Sequence, residues 1–139
     1  MKYLFILLCF LVASCATPKP YKSNTTMVVE YEGKEVYRRG PGYTGERELR
    51  ELADQEREYI VIFSADYCRA CKLTKKALSQ ANLRVEVHYV NMEEEWVKQL
   101  ASIMGIRSIP YMLHVGKSKR TIASRHGAGR VVTYLISRF

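Results

Sequence analysis

Residues 59–78 read YIVIFSADYCRACKLTKKAL. The apolar run Tyr59 to Phe63 gives way to Ser64-Ala65-Asp66-Tyr67, and two cysteines at i and i+3 then open a segment with helical spacing. The first turn of a helix carries backbone N–H groups without intrahelical partners, and together with the macrodipole they favour negative charge. The thiolate is the reactive form of cysteine, so Cys68 at such a terminus is expected to have a lowered pKa. Cys71, one turn on, shares its helix face and lies within disulfide reach. Arg69 between them and Lys72 just behind add positive charge that tunes Cys68 further towards the thiolate. The pair is therefore placed to close and open reversibly.

Outward from this stretch, the totals bound the chain. At 139 residues with 47% hydrophobic content it has room for one domain with a real core. Its four cysteines, at 9, 15, 68 and 71, are too few and too clustered for a disulfide framework. Residues 1–14 read as a signal peptide. Lys2 supplies the positive start, and the apolar run Tyr3 to Ala13 suits a signal core but is too short for a membrane span. An exported chain is expected. Val12-Ala13-Ser14-Cys15 resembles the lipobox of bacterial lipoproteins, which implies lipidation at Cys15 and loss of Cys9 with the signal peptide. An ordinary secretory signal with Cys15 incidental is the alternative. Ala16 after the cysteine implies, for a Gram-negative host, anchoring on the periplasmic face of the outer membrane. Residues 15–26, polar and with two prolines, form a lipidated tether, and 27–139 form the domain.

The formal charge of +8 falls to +7 once Lys2 leaves with the signal. Such a charge suits an anionic membrane surface, an acidic partner, or simply a solvated surface, the reading preferred here. Export and the scatter of basic residues argue against nucleic acid.

Along the rest of the chain, Met27–Tyr31 and Lys34–Arg38 read as short strands around Glu32-Gly33, and Arg39-Gly40-Pro41-Gly42 is a break. Thr44 is expected to cap a helix to about Gln55, with Leu49, Leu52 and Ala53 inward. After the strand Tyr59–Ser64, a helix from Cys68 to about Ala81 turns Leu73, Ala77, Leu78 and Ala81 inward. Arg84–Val90 alternates, with Val85, Val87 and Tyr89 buried and His88 on the surface. Asn91 and Glu94 form a capping-box-like start to a helix that buries Trp96, Val97, Leu100, Ala101 and Met104 and stops at Gly105. Strand, helix, strand, helix implies parallel strands. Tyr111–Val115 and Arg120–Arg125 then pair as an antiparallel hairpin around Gly116-Lys117-Ser118. Gly127-Ala128-Gly129 is a break before a helix with Val131, Val132, Leu135, Ile136 and Phe139 along its apolar face.

The order βαβαββα, CxxC opening the first helix after a central strand, and Gly105-Ile106-Arg107-Ser108-Ile109-Pro110 before the hairpin resemble the thioredoxin family over roughly Glu46 to Phe139. The resemblance implies an α/β thioredoxin-like fold: a central mixed β-sheet flanked by helices, here with an N-terminal extension. It also implies a cis Ile109–Pro110 bond facing Cys68 and Cys71, with Tyr67, Ile109 and Pro110 contacting substrate. Gly116 and Gly127 stand where the family places glycines. Three departures from the pattern stand out. Tyr67 stands for the usual Trp, Arg69-Ala70 for Gly-Pro, and Ile62 for the buried Asp that in the family helps to deprotonate the second cysteine.

The mechanism implied is thiol–disulfide exchange, with Cys68 as nucleophile and Cys71 resolving. The expected protein is an oxidoreductase whose redox-active centre is the Cys68–Cys71 disulfide, with no cofactor beyond it and no metal. Its partners would be extracytoplasmic protein thiols and disulfides, an electron donor or acceptor, and the membrane through the anchor. Arg69 and the helix terminus favour an oxidising pair, whereas the lipoprotein thioredoxins that the chain resembles are thought of mostly as reductases; the reductase direction is preferred. The alternatives are a non-catalytic binding module and an oxidase or metal-handling protein using the same pair. A purely structural disulfide closing so short a loop gains little.

Overall fold

The computed structural model of the chain describes residues 26–31, 34–39 and 42–139. The expected signal peptide, Cys15 and all of the tether but Thr26 lie outside the described residues, as do Glu32-Gly33 and Gly40-Pro41. An antiparallel pair, β1 (Thr26–Tyr31) and β2 (Lys34–Arg39), forms a sheet of its own. There follow α1 (Glu46–Ala53), β3 (Tyr59–Ser64), α2 (Arg69–Gln80), β4 (Glu86–Asn91), α3 (Glu95–Met104), β5 (Tyr111–Val115), β6 (Thr121–His126) and α4 (Ala128–Arg138).

The main sheet has the order β4-β3-β5-β6, with β3 parallel to β4 and antiparallel to β5, and β6 antiparallel to β5. β3 is buried at every position, as an interior strand covered on both faces must be. One face carries Ile60, Ile62, Val87, Tyr89 and Met112 and packs on α2 and α4 through Leu78, Val131 and Leu135. The other carries Tyr59, Val61, Phe63, Val90 and Leu113 and packs on α1 and α3 through Leu52, Val97 and Ala101. Helices on both faces give three layers.

Several local expectations are corrected. Thr44 does not cap α1; Gly45 takes the N-cap position, without a side-chain hydrogen bond. Thr44 is instead buried, its N–H donating to the Tyr89 carbonyl at 2.7 Å and so covering the outer edge of β4. His88 is buried, not on the surface, because both faces of β4 are covered and its polar face is satisfied by side chains. In α2 the inward residues are Cys71, Thr74 and Leu78, which leaves Leu73 off the stripe and exposed. Asn91 accepts from the Glu93 N–H at 3.0 Å, closing a turn ahead of α3, whose N-cap residue is Glu94. Met104 and Ile136 are exposed, and Ala128 and Gly129 belong to α4. α3 does stop at Gly105, whose φ of 70° is the left-handed conformation that lacks a Cβ penalty.

Candidate active site

β3 ends at Ser64, and the Ala65–Tyr67 turn delivers Cys68 to the N-terminus of α2. Cys68 is itself the N-cap residue. Its extended backbone leaves the sulfur free to fold back over the helix, where the Cys71 N–H donates to Sγ at 3.1 Å. This is the capping that an oxygen side chain ordinarily provides. A sulfur held on an orphan N–H, at the positive end of a helix, is stabilised as an anion more than as a thiol. Cys68 and Cys71 are disulfide-bonded with their Cα atoms 5.2 Å apart. Cys68 is half-buried and Cys71 buried, so an incoming sulfur reaches the first and not the second.

The second wall of the site comes from the start of β5, which lies at the C-terminal end of β3 because the two strands are antiparallel. The Ile109–Pro110 bond is cis, and the Ile109 carbonyl oxygen lies 3.9 Å from Cys68 Sγ. Pro110 is buried, and its carbonyl accepts from the Gly127 N–H at 2.9 Å, tying the start of α4 to this loop. Tyr67 is 72% exposed beside the cysteines, and Arg69 is exposed. The structure thus brings Cys68, Cys71, Tyr67, Ile109 and Pro110 to one end of the sheet.

Ile62 is fully buried between Tyr89 and Met112 in the register, so no carboxylate occupies that position. The polar groups on this face come from elsewhere. The Tyr43 hydroxyl donates to Asp66 at 2.9 Å, and its pKa is pushed up to about 12, by burial first and then by that hydrogen bond. The Lys75 ammonium lies 3.9 Å from the centre of the Tyr43 ring and 5.0 Å from that of Tyr89. Lys75 is one turn beyond Cys71 on the same face of α2, and helical side chains lean towards the preceding turn. Sequence reading passed over Tyr43 and Lys75; the i+4 spacing from Cys71 was the available signal for the lysine.

The remaining titratable candidates are engaged away from the sulfurs. His88 shares hydrogen bonds with Thr44 (2.9 Å) and Glu86 (2.6 Å), and Arg57 pairs with Glu86. Tyr59 nearby has its pKa raised by burial and by Glu86. His114 is bonded to Glu58 (2.6 Å) and to the Tyr134 hydroxyl (2.7 Å). Among the described residues no group of three His, Cys, Asp or Glu is arranged to hold a metal, and no helix is long and apolar enough to cross a membrane.

A glutaredoxin family model matches residues 60–113, from β3 through the cis-proline into β5. No curated protein matched. Solved structures do: the oxidised form of mitochondrial thioredoxin 3 from Saccharomyces cerevisiae is 24% identical, with a TM-score of 0.54, over 67% of this chain and 89% of that one. Malassezia sympodialis thioredoxin is 19% identical, with a TM-score of 0.51, over 66% and 85%. Thioredoxin from Trypanosoma brucei brucei is 15% identical, with a TM-score of 0.53, over 70% and 87%. The fold is thioredoxin-like.

Proposed function

We propose that this thioredoxin-like chain is a membrane-anchored thiol–disulfide oxidoreductase of the extracytoplasmic space, working as a reductase of protein disulfides. Thiol–disulfide oxidoreductase chemistry as such follows from a CxxC disulfide at the head of α2 in a thioredoxin-like fold whose central part matches the glutaredoxin model. The single observation that carries the mechanism is the Cys71 N–H donating to Cys68 Sγ, which supports the reading that Cys68 holds the negative charge in the reduced pair.

In the reduced protein the Cys68 thiolate attacks one sulfur of a substrate disulfide, forming a mixed disulfide and expelling the other sulfur as a thiolate. Cys71 then loses its proton and attacks Cys68 Sγ. The substrate's second thiolate departs, and Cys68–Cys71 is left as the disulfide. Two electrons have passed from the pair to the substrate, and an external dithiol must restore them. The Ile109 carbonyl, beside Cys68, supports the reading that it accepts a hydrogen bond from the substrate backbone, with Pro110 and Tyr67 forming the walls.

A Cys71→Ser chain is expected to accumulate mixed disulfides through Cys68 with exported proteins; recovery of no such adducts would overturn the exchange reading. Direction is tested by equilibrating the pair against defined thiol buffers. A potential near that of thioredoxin, about −270 mV, supports the reductase, and one near −120 mV makes the protein an oxidant. The export address and the anchor rest on residues 1–15. Cys15→Ser is expected to release the protein from the membrane fraction, and retention would overturn the anchor.

A further inference from the structure

All 14 Asp and Glu of the chain lie at or before Glu95, together with 14 of its 22 Lys and Arg; the other eight follow it. Residues 96–139 therefore carry the whole formal charge of +8. The fold gathers part of that charge at one margin of the sheet. β6 is an edge strand, exposed at all but one position, and α4 turns back beside it. Between them runs an open groove of about 570 Å³ lined by Arg125, Gly129, Arg130, Thr133, Tyr134 and Ser137. The guanidinium groups of Arg125 and Arg138 lie 4.8 and 5.9 Å from the centre of the Tyr134 ring, held there by cation–π attraction. Among the described residues no carboxylate pairs with Arg125, Arg130 or Arg138. Glu58 is bonded to His114, on the inner side of Tyr134.

One end of the groove, at Arg125 and Gly129, lies towards the end of the sheet where the cysteines sit. Arg125 lies one residue before His126, which pairs with Tyr111 at the start of β5. Gly127 is bonded to Pro110, and the Ile109 carbonyl lies against Cys68 Sγ. Arg130, in the first turn of α4, stands three residues beyond the Gly127 that is bonded to Pro110.

We infer that this groove binds an acidic stretch of the polypeptide whose cysteines react at Cys68. The redox half of that statement rests on the exchange reading above, and the binding half does not. Arg125 donates to the Ser124 carbonyl and Ser137 to that of Tyr134, at 2.7 and 3.1 Å, but arginines without a carboxylate partner beside Thr133 still suit carboxylates, and complementary charge speeds and orders encounter. A polypeptide is favoured over a lipid surface by shape. An extended chain can enter a groove and pair with an edge strand, whereas a bilayer surface is too flat to do either.

The binding test uses the full chain carrying Cys68→Ser and Cys71→Ser, titrated into a fluorescent Glu-rich peptide without cysteine and into its Gln counterpart. The Glu-rich peptide is expected to bind about ten-fold tighter at low salt, in keeping with two exposed charge pairs. Arg125→Gln with Arg130→Gln should reduce that advantage to about two-fold, and each single change should fall between. Equal binding of the two peptides, or a preference that survives both changes, overturns the inference. So does arginine-dependent binding to phosphatidylglycerol vesicles without binding to the peptide, which would make the face a membrane dock. With the cysteines intact, a disulfide-bonded peptide flanked by Glu should be reduced with a kcat/KM about five-fold above that of its Gln-flanked counterpart. The arginine changes should equalise the two by slowing only the first. Arginine-dependent binding without exchange on either peptide would uphold the groove and overturn the exchange reading.

Discussion

The two ends of the sheet hold their polar side chains in opposite ways. Towards one end, His88 with Thr44, Glu86 and Arg57, and His114 with Glu58 and Tyr134, form two hydrogen-bonded groups that by residue type alone suggest acid–base catalysis. Both histidines are buried, and both have a partner on each ring nitrogen. They satisfy polar groups that the packing of helices on both faces has taken out of water. At the other end, Cys68 remains accessible and its sulfur is held by a backbone N–H that the start of a helix leaves over. Chemistry requires a group that can still be reached. Saturation marks the structural end, and an open sulfur on an orphan donor marks the reactive one.

The sharpest way to break this comparison is at Cys68. Cys68→Ser is expected to abolish disulfide reduction measured with a fluorescent disulfide peptide, and residual catalysis would move the chemistry elsewhere. Next in size is Glu86→Ala, which leaves His88 and Arg57 without their shared carboxylate. It should cost about 3 kcal/mol in urea unfolding of the oxidised protein and leave the exchange rate within about two-fold. A loss of exchange as large as that at Cys68 would erase the distinction between the ends.

Lys75→Met sharpens the reactive end. Removing a positive charge one turn from Cys71 disfavours the thiolate of the reduced pair, so the potential should become more negative by about 30 mV, with Lys75→Arg restoring it. An unchanged potential would make the lysine a packing residue. The smallest effect is expected at Tyr43. Its phenol, with a pKa raised from 10.0 to about 12, favours the folded state fully below pH 10 and loses that contribution as the pH climbs through 12. Tyr43→Phe should flatten the fall in urea midpoint between those pH values. An identical fall in both proteins would remove Tyr43 from the alkaline transition.

Much of this was legible because it depends on neighbours in sequence. The strand Tyr59–Ser64, the i, i+3 cysteines, the stop at Gly105 and the Ile109-Pro110 pair are local patterns, and each stands where the pattern put it. What misled were residues whose environment is set by distant segments. Alternation in β4 left His88 for solvent, yet the segment ending at Thr44 lies over that edge. Thr44 has the chemistry of a helix cap, yet it bonds His88, which the fold brings nearer; Asn91 misled more locally, closing a turn onto the Glu93 N–H ahead of the helix. The charge was legible but unread. The basic residues are scattered, whereas the acidic ones stop at Glu95, and the asymmetry lies in what is missing.

The sequence by itself determined the element order and the placing of two cysteines at the start of a helix, because hydrophobic period and turn chemistry act over a few residues. Only the tertiary structure decided that Cys68 Sγ lies against the Ile109 carbonyl. It alone decided that distant Thr44 and Glu58 close off His88 and His114, and that Arg125 on a strand and Arg130 on a helix share one groove. Those are relations between segments far apart in the chain. The antiparallel return of β5 and β6 to the head of α2 creates them, and no local preference encodes that approach.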